Sequence, residues 1–600
     1  MRGAIDDVHC ESDCPRRSSQ AGAGLFQRSG VSAGAACPWS GLGFNRNQSA
    51  RPFPEECNPA RSAAGPTPLH IVVGLKMQNA GQVQPTLKRM LTPGDPLYGT
   101  SLTLDQFVAQ FGATSSQVQA VENYLTGFGF SNIQVEPNQL MIQADGTAQQ
   151  AEAAFNTSLV KFSQNGATIF ANIQDAQVPS SLSGTVLAVL GLNNLAAMRS
   201  DIHKTTVPCT PPNCPTPAVA NETYNAQQYQ IAYDAACPSD NPKCKAAKFP
   251  SGSSTAVGII AEGDLTQVVK DLRTYETSFK LPQVPVTVIN AGIASPDTAG
   301  ADEWSLDSQT STGIAQQVSH LYFYVATTMT DSDLALAFNR AVEDNKVKAF
   351  NMSFGECEFF PYLDGAMLVD DEVFAEAALH GMTPFASSAD NGSACPVLPT
   401  NGVPLSGAPD VSYPATSPYV IAVGGTNLLS NADYTYNSET AWESGGGGPS
   451  YFEFPPFWQS YTGSGTLPIV PTSEGSNVGI GRGVPDVAMC AGGTELAICS
   501  AIVYVDGAQE LVGGTSLSSP LAMGSWARIQ TAHHNKLGFA GPLIYQLANG
   551  GPSASSPYFN DVIVGSNGLY TALPGYDYTT GLGTFDIFVV NEKIPTKYAQ

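Results

Sequence analysis

Gly513-Gly514-Thr515-Ser516-Leu517-Ser518-Ser519-Pro520 is the stretch on which the reading of this chain turns. Two glycines free the backbone ahead of a serine, and Pro520 is expected within the first turn of a helix that follows. That is the setting of a serine nucleophile at a turn into a helix. Ser516 is the candidate, and Ser518 and Ser519 are neighbours of the same type. Taken alone, the stretch is equally well a Gly/Ser-rich loop without chemistry. A serine nucleophile needs a base, and the chain has seven histidines, at 9, 70, 203, 320, 380, 533 and 534. None lies in a small-residue context such as His-Gly-Thr-His, so the base has to come from another residue type.

Composition narrows the field. The chain has 600 residues, 42% hydrophobic but only 13% charged, with 27 Lys plus Arg against 51 Asp plus Glu and a net charge of -24. That balance speaks against nucleic acid, whose affinity rests on cations neutralising phosphates. It suits an acidic medium, where protonated carboxyls leave a thin positive charge and little self-repulsion. Twelve cysteines fall as close neighbours, Cys10/Cys14, Cys37/Cys57, Cys209/Cys214, Cys237/Cys244, Cys357/Cys395 and Cys490/Cys499. Their even number and spacing fit disulfides and an oxidising compartment better than zinc. No run of 18 apolar residues occurs, so no membrane span is expected.

The chain divides by texture. Residues 1–66 carry seven Arg, no Lys and no apolar secretory core, and read as an irregular extension. Residues 67–200 alternate between strands and helices: a strand from Leu69 to Leu75, helices over 85–91, 102–111, 116–128 and 147–155, a strand from Val135 to Ile142 and a hairpin over 158–170. That pattern predicts a small α+β domain. Residues 201–222, with Thr210-Pro-Pro-Asn-Cys-Pro-Thr-Pro217, form a linker. From 223 to 600, short apolar runs at 256–261, 286–289, 320–325, 347–352 and 419–423 alternate with helices at 266–277, 333–343 and 371–381. This predicts an α/β domain with a mostly parallel sheet covered by helices, its site at the carboxyl ends of the strands.

Three further motifs bracket the serine. Glu303-Trp-Ser-Leu-Asp307 places two carboxyls on one helix face, one turn apart. Alone it is most often a solvated acidic turn. Ala386-Ser-Ser-Ala-Asp390-Asn-Gly392 holds an acid in what is also a good turn sequence. Phe559-Asn-Asp561-Val562, followed by Ala572-Leu-Pro-Gly575-Tyr-Asp577 and Thr580-Gly-Leu-Gly583, offers carboxylates and carbonyls, hard oxygen ligands suited to Ca²⁺. It could also be a metal-free Gly/Asp loop.

These four motifs, in this order, resemble the sedolisin (serine-carboxyl peptidase) family, a subtilisin-like fold adapted to acid. The preceding segment resembles the pro-kumamolisin activation domain, a small ferredoxin-like fold, through Pro96-Leu-Tyr-Gly-Thr-Ser-Leu-Thr103, Val121-Glu-Asn-Tyr-Leu125 and Ala151-Glu-Ala-Ala-Phe-Asn-Thr157. The two resemblances cover about residues 67 to 595. They imply that Ser516 is the nucleophile, Glu303 its general base, Asp307 the acid that orients and tunes Glu303, and Asp390 the oxyanion-hole acid. A carboxylate base with a pKa near ~4.3 suits pH 3–5, where an imidazole would be protonated. Ala389 and Asn391 depart from the family's usual Ser-Ser-Gly-Asp-Ser-Gly. Asp561, Asp577 and the carbonyls of Val562, Leu573 and Gly575 correspond to ligands of one structural Ca²⁺, with Leu573 where the family usually has Gly. A Cys357–Cys395 bridge would brace the oxyanion side.

The activity implied is that of a secreted, monomeric acid endopeptidase made as a zymogen. Its partners are polypeptide substrates and its own leader, which blocks the cleft until low pH protonates carboxylates at the interface and the linker is cut. A tripeptidyl-peptidase of the same chemistry, or an inactive calcium-stabilised binding protein on this scaffold, are the alternatives.

Overall fold

The computed structural model describes residues 67–164, 167–194, 198–200, 202, 223–238, 249–395, 409–459, 481–492, 499–548 and 558–594, with the backbone of four short strands at 61–62, 203–204, 399–400 and 403–404. The leader is built on a four-stranded antiparallel sheet. Its order is Ser131–Val135, Met141–Thr147, Pro68–Leu75, Val186–Leu190. This is the ferredoxin-like arrangement that the resemblance implied. Helices Leu104–Phe111, Ser115–Gly127 and Ala148–Phe155 each start at a Thr-x-x-Gln capping box, from Thr103, Thr114 and Thr147.

The strands alternate with period two, and both sets of side chains are buried. Leu69, Ile71, Val73 and Leu75 pack with Val121, Leu125 and Phe155 in the leader's own core. Val72, Met141, Ala188 and Leu190, on the other face, join the main core of the molecule. A sheet apolar on both faces needs cover on both, and the peptidase-side domain supplies the second.

One strand boundary differs from expectation. Val135 to Ile142 is not one strand but a hairpin, with a turn at 136–140 between Ser131–Val135 and Met141–Thr147. Pro137 lacks the N–H a ladder needs, and Gln139 takes φ 59°. The turn is an anchor. Asn138 is fully buried, its Nδ2 donates to Glu376 (2.7 Å) and Asn339 (2.6 Å), and its backbone N–H donates to Glu343 (3.1 Å).

The larger domain carries a ten-stranded sheet. Seven parallel strands run in the order Val286–Asn290, Val318–Ala326, Gly252–Glu262, Ala349–Met352, Thr383–Ser387, Ile421–Ser430, Val487–Cys490. Thr584–Phe585 adds in parallel, and Phe559–Asn560 and Tyr436–Ala441 pair antiparallel. The predicted buried runs are these strands, and the predicted helices are Thr266–Ser278, Asp331–Asp344 and Ala366–Leu379. Two central helices, Ala301–Ala315 and Thr515–Ala532, are buried along almost their whole length. They bring residues more than 200 apart in sequence into contact.

Candidate active site

Gly514 takes φ 103°, a conformation that favours glycine, and a side chain at Gly513 would strike the carbonyl of Ala491. The turn then enters the helix Thr515–Ala532. Pro520 lies in the second turn of this helix rather than the first, so it cannot donate to the carbonyl of Ser516 four residues back. That carbonyl lies 3.3 Å from the hydroxyl of Ser353. The hydroxyl of Ser516 donates to Glu303 Oε2 at 3.1 Å, and both side chains are buried. The neighbouring serines face inward: Ser518 donates to the carbonyls of Met489 and Cys490, and Ser519 to Asn351.

Glu303 and Asp307 lie one turn apart on the helix Ala301–Ala315, as the spacing predicted. Asp307 is completely buried and accepts from Ser353 Oγ at 2.7 Å. Burial pushes its carboxyl up to about 8, against hydrogen bonds from Ser353 and Asn351 that favour the charged form. Asp390 Oδ1 accepts from the backbone N–H and the hydroxyl of Thr515, at 2.8 and 2.7 Å. The acid is thereby tied to the residue before Ser516. The described histidine side chains with a polar contact make it elsewhere, with Asp145 (His70), Thr287 (His320), Leu102 and Glu376 (His380) and Asn591 (His533).

A serine bonded to a buried carboxylate beside a second carboxyl is uncommon chemistry, and known proteins share its frame. The family model described as the pro-kumamolisin activation domain matches residues 57–195, and that of the subtilase family matches residues 288–542. Xanthomonalisin of Xanthomonas sp. (strain T-22) is 37% identical over 87% of this chain and 65% of its own length. Sedolisin of Pseudomonas sp. (strain 101) is 37% identical over 88% of this chain and 86% of its own. The solved structure of Pseudomonas sedolisin, a serine-carboxyl proteinase complexed with two molecules of pseudo-iodotyrostatin, superposes with a TM-score of 0.54 at 33% identity. It covers 62% of this chain and 98% of that one. The chain belongs to the sedolisin family. It is a serine-type peptidase that carries its own activation domain.

Beside the sedolisin site two disulfides close among the described residues, Cys357–Cys395 and Cys490–Cys499. The first ties the end of the cleft strand Phe354–Cys357 to the loop after Asp390. The other four cysteine pairings reach outside the described residues.

The calcium-type loop brings two carboxylates and several backbone carbonyls together. Asp561 Oδ2 accepts from the N–H of Gly575, and Asp577 Oδ2 from that of Leu573, both at 2.9 Å. Asp577 Oδ1 accepts from Thr579 and Thr580, and no cationic side chain among the described residues forms an ion pair with either acid. Burial raises both carboxyls, and the charge of Asp577 raises Asp561 further. The carbonyls of Val562, Leu573 and Gly575 accept no hydrogen bond from a described residue. Two mutually repelling carboxylates and three unused carbonyls fit a hard divalent cation. Leu573 is not among the residues with positive φ, so a side chain is compatible with its backbone.

The sequence did not single out the contacts of the linker. Arg199–Ser200 pairs antiparallel with Phe354–Cys357, and His203–Lys204 pairs antiparallel with Ala508–Gly513. The end of the leader and the start of the linker thus each add a short strand beside the site, and the hydroxyl of Ser200 bonds to Glu303 Oε2, the oxygen that accepts from Ser516. No local motif marks Ser200. Asn351 lies in the predicted apolar run 347–352 and Ser353 just after it, and their link to Asp307 comes from the fold.

Proposed function

We propose that this chain is the secreted zymogen of an acid-acting endopeptidase, with Ser516 as nucleophile, Glu303 as general base, Asp307 as the acid behind it and Asp390 in the oxyanion hole. The observation that carries this reading is the 3.1 Å bond from Ser516 Oγ to a buried carboxylate, with no imidazole in contact with either among the described side chains. Ser516 Oγ attacks the scissile carbonyl carbon while Glu303 takes its proton. The carbonyl oxygen becomes an oxyanion that accepts from protonated Asp390 and from the Ser516 N–H. Glu303 returns the proton to the leaving amine, and water repeats the sequence on the acyl-enzyme. Asp307 remains neutral, so the two carboxyls of one helix turn share a single negative charge. This chemistry works where Glu303 is ionised and Asp390 is protonated, hence in acid.

The leader acts as an intramolecular inhibitor, since its linker pairs with both cleft edges and engages Glu303. A tripeptidyl-peptidase needs a wall beyond the third residue on the amino side. Sequencing of the released fragments separates that activity from the endopeptidase proposed. Disulfides support an oxidising compartment, and no helix among the described residues is long and apolar enough to cross a membrane. Asp561 and Asp577, with the carbonyls of Val562, Leu573 and Gly575, would hold one Ca²⁺, which supplies structural rigidity and no chemistry.

Casein cleavage near pH 4, with sequencing of the fragments, tests the reading. Ser516→Ala and Glu303→Gln are expected to lose activity by at least about a thousandfold. Unchanged activity in either variant, an optimum above pH 7, or release of tripeptides alone would overturn it.

A further inference from the structure

Asn351 is a fully buried amide in the middle of the parallel sheet, opposite Ile259 on one side and Phe385 on the other. A polar side chain there costs free energy unless its donors and acceptor are matched. Its Oδ1 accepts from Ser519 Oγ at 2.6 Å, and its Nδ2 donates to Ser353 Oγ at 2.8 Å. The carboxyl of Asp307 fixes this orientation, because the amide nitrogen faces it and the oxygen would be repelled.

A serine hydroxyl has one proton. Ser353 Oγ already accepts from Asn351, so its proton is free to be donated. The nearer acceptor is Asp307 Oδ1 at 2.7 Å, with the carbonyl of Ser516 at 3.3 Å. The hydrogen bonds therefore run in one direction, from Ser519 through Asn351 and Ser353, and end on one oxygen of Asp307. Chains of this kind reinforce one another in a dry interior. They join the nucleophile helix, the central strand and the base helix.

We infer that Asn351 and Ser353 are positioning residues for the peptidase reaction: they keep Oδ1 of Asp307 an acceptor, so that its proton rests on Oδ2 and Glu303 is left as the ionised base. The inference rests on the proposed role of Glu303. The groups that face Asp307 are Glu303 from its own helix and the uncharged Asn351, Ser353 and Ser516 from the elements packed against it. The donors favour the charged form of Asp307, so removing one raises its affinity for protons. The alkaline limb of the rate profile that reports loss of this proton then moves to higher pH.

The test compares Ser353→Ala with the isosteric Asn351→Asp, each acid-matured and assayed on a peptide substrate, with Glu303→Gln as control. Each single variant is expected to lose about ten- to a hundredfold in kcat, the range for a buried polar group left without its partner, with KM within about twofold. The alkaline limb should rise in Ser353→Ala. The double variant should lose less than the two single losses combined, since Asn351 acts on Asp307 both directly and through Ser353. Wild-type kcat and pH limbs in both variants, with Glu303→Gln inactive, would overturn the inference and leave the base assignment standing. Activity in Glu303→Gln would overturn the assignment itself. If Ser353→Ala fails to fold, Asn351→Asp decides: a lowered thermal midpoint with unchanged kcat and pH profile means a structural role only, and the inference fails.

Discussion

At residue 389 the backbone takes φ 84°, in the left-handed region, immediately before the acid proposed for the oxyanion hole. An alanine there bears a steric cost of about 1–2 kcal/mol that glycine avoids, partly offset by glycine's greater freedom in the unfolded chain. The turn is kept because both of its ends are held, Asp390 by Thr515 and the carbonyl of Ala389 by the N–H of Gly446. Ala389→Gly is expected to stabilise the protein by about 0.5–1 kcal/mol, read as a higher thermal midpoint. A midpoint that stays level or falls would show that the turn carries no strain. Motif order picked out Asp390, Ser516, Glu303 and Asp307 in the sequence because each sits in a short, recognisable string. The strain at 389 was not readable, since φ at a non-glycine residue follows from what pins its neighbours.

Among the elements, the linker strands have the most direct consequence. Ser200 pairs with Phe354 and bonds to Glu303, and His203 pairs with Gly513, so the residues at both ends of this short segment lie next to the neighbours of Ser516. Acid maturation is expected to create a first new amino terminus between Ser200 and His203, read by terminal sequencing, and none in Ser516→Ala. A first cut elsewhere in the linker would contradict this register. The leader's seat adds a constraint. Burial in the docked state pushes Glu343 and Glu372 up to about 8, from ordinary values near 4.5. Docking thus takes up protons, and it weakens as pH rises through that window. The expectation that protonated interface acids release the leader runs against this sign. Protonation of these two acids is expected to hold the cut leader on the peptidase domain near pH 4, read by co-elution of the two pieces. The calcium-type loop is the other element for which a partner is proposed. Chelation is expected to lower the thermal midpoint of the intact chain by several degrees, restored by Ca²⁺ and not by Mg²⁺. A midpoint indifferent to chelator would remove the metal from the loop.

The whole molecule stores protons in buried acids. Glu358 and Asp410 share a hydrogen bond, as do Asp371 and Glu453 above the buried Arg482. Burial raises all four, Asp371 and Asp410 to about 6 and the other two well above their ordinary values. Unfolded carboxyls release their protons near ~4, so the stability these pairs contribute is fully present below that pH and is lost as pH rises through about 6. The Ser516→Ala protein, which cannot digest itself, should show a thermal midpoint that falls between pH 4 and pH 8. A flat or rising midpoint would mean that the pairs are not holding protons.

The sequence alone determined the two-domain order, the sheet strands, the facing of Glu303 and Asp307, and the motifs of the site. Hydrophobic periodicity and short spacings are local, and a helix turn carries its geometry wherever it is placed. The span Val135 to Ile142 escaped because its apolar ends hid a turn whose purpose is to reach another domain. Only the tertiary structure decided that Ser516 meets Glu303, that Asn351 and Ser353 serve Asp307, and that Ser200 covers the base. Those contacts cross gaps of 44 (351 − 307) to 213 residues, and burial and hydrogen-bond direction exist only once the chain has closed on itself.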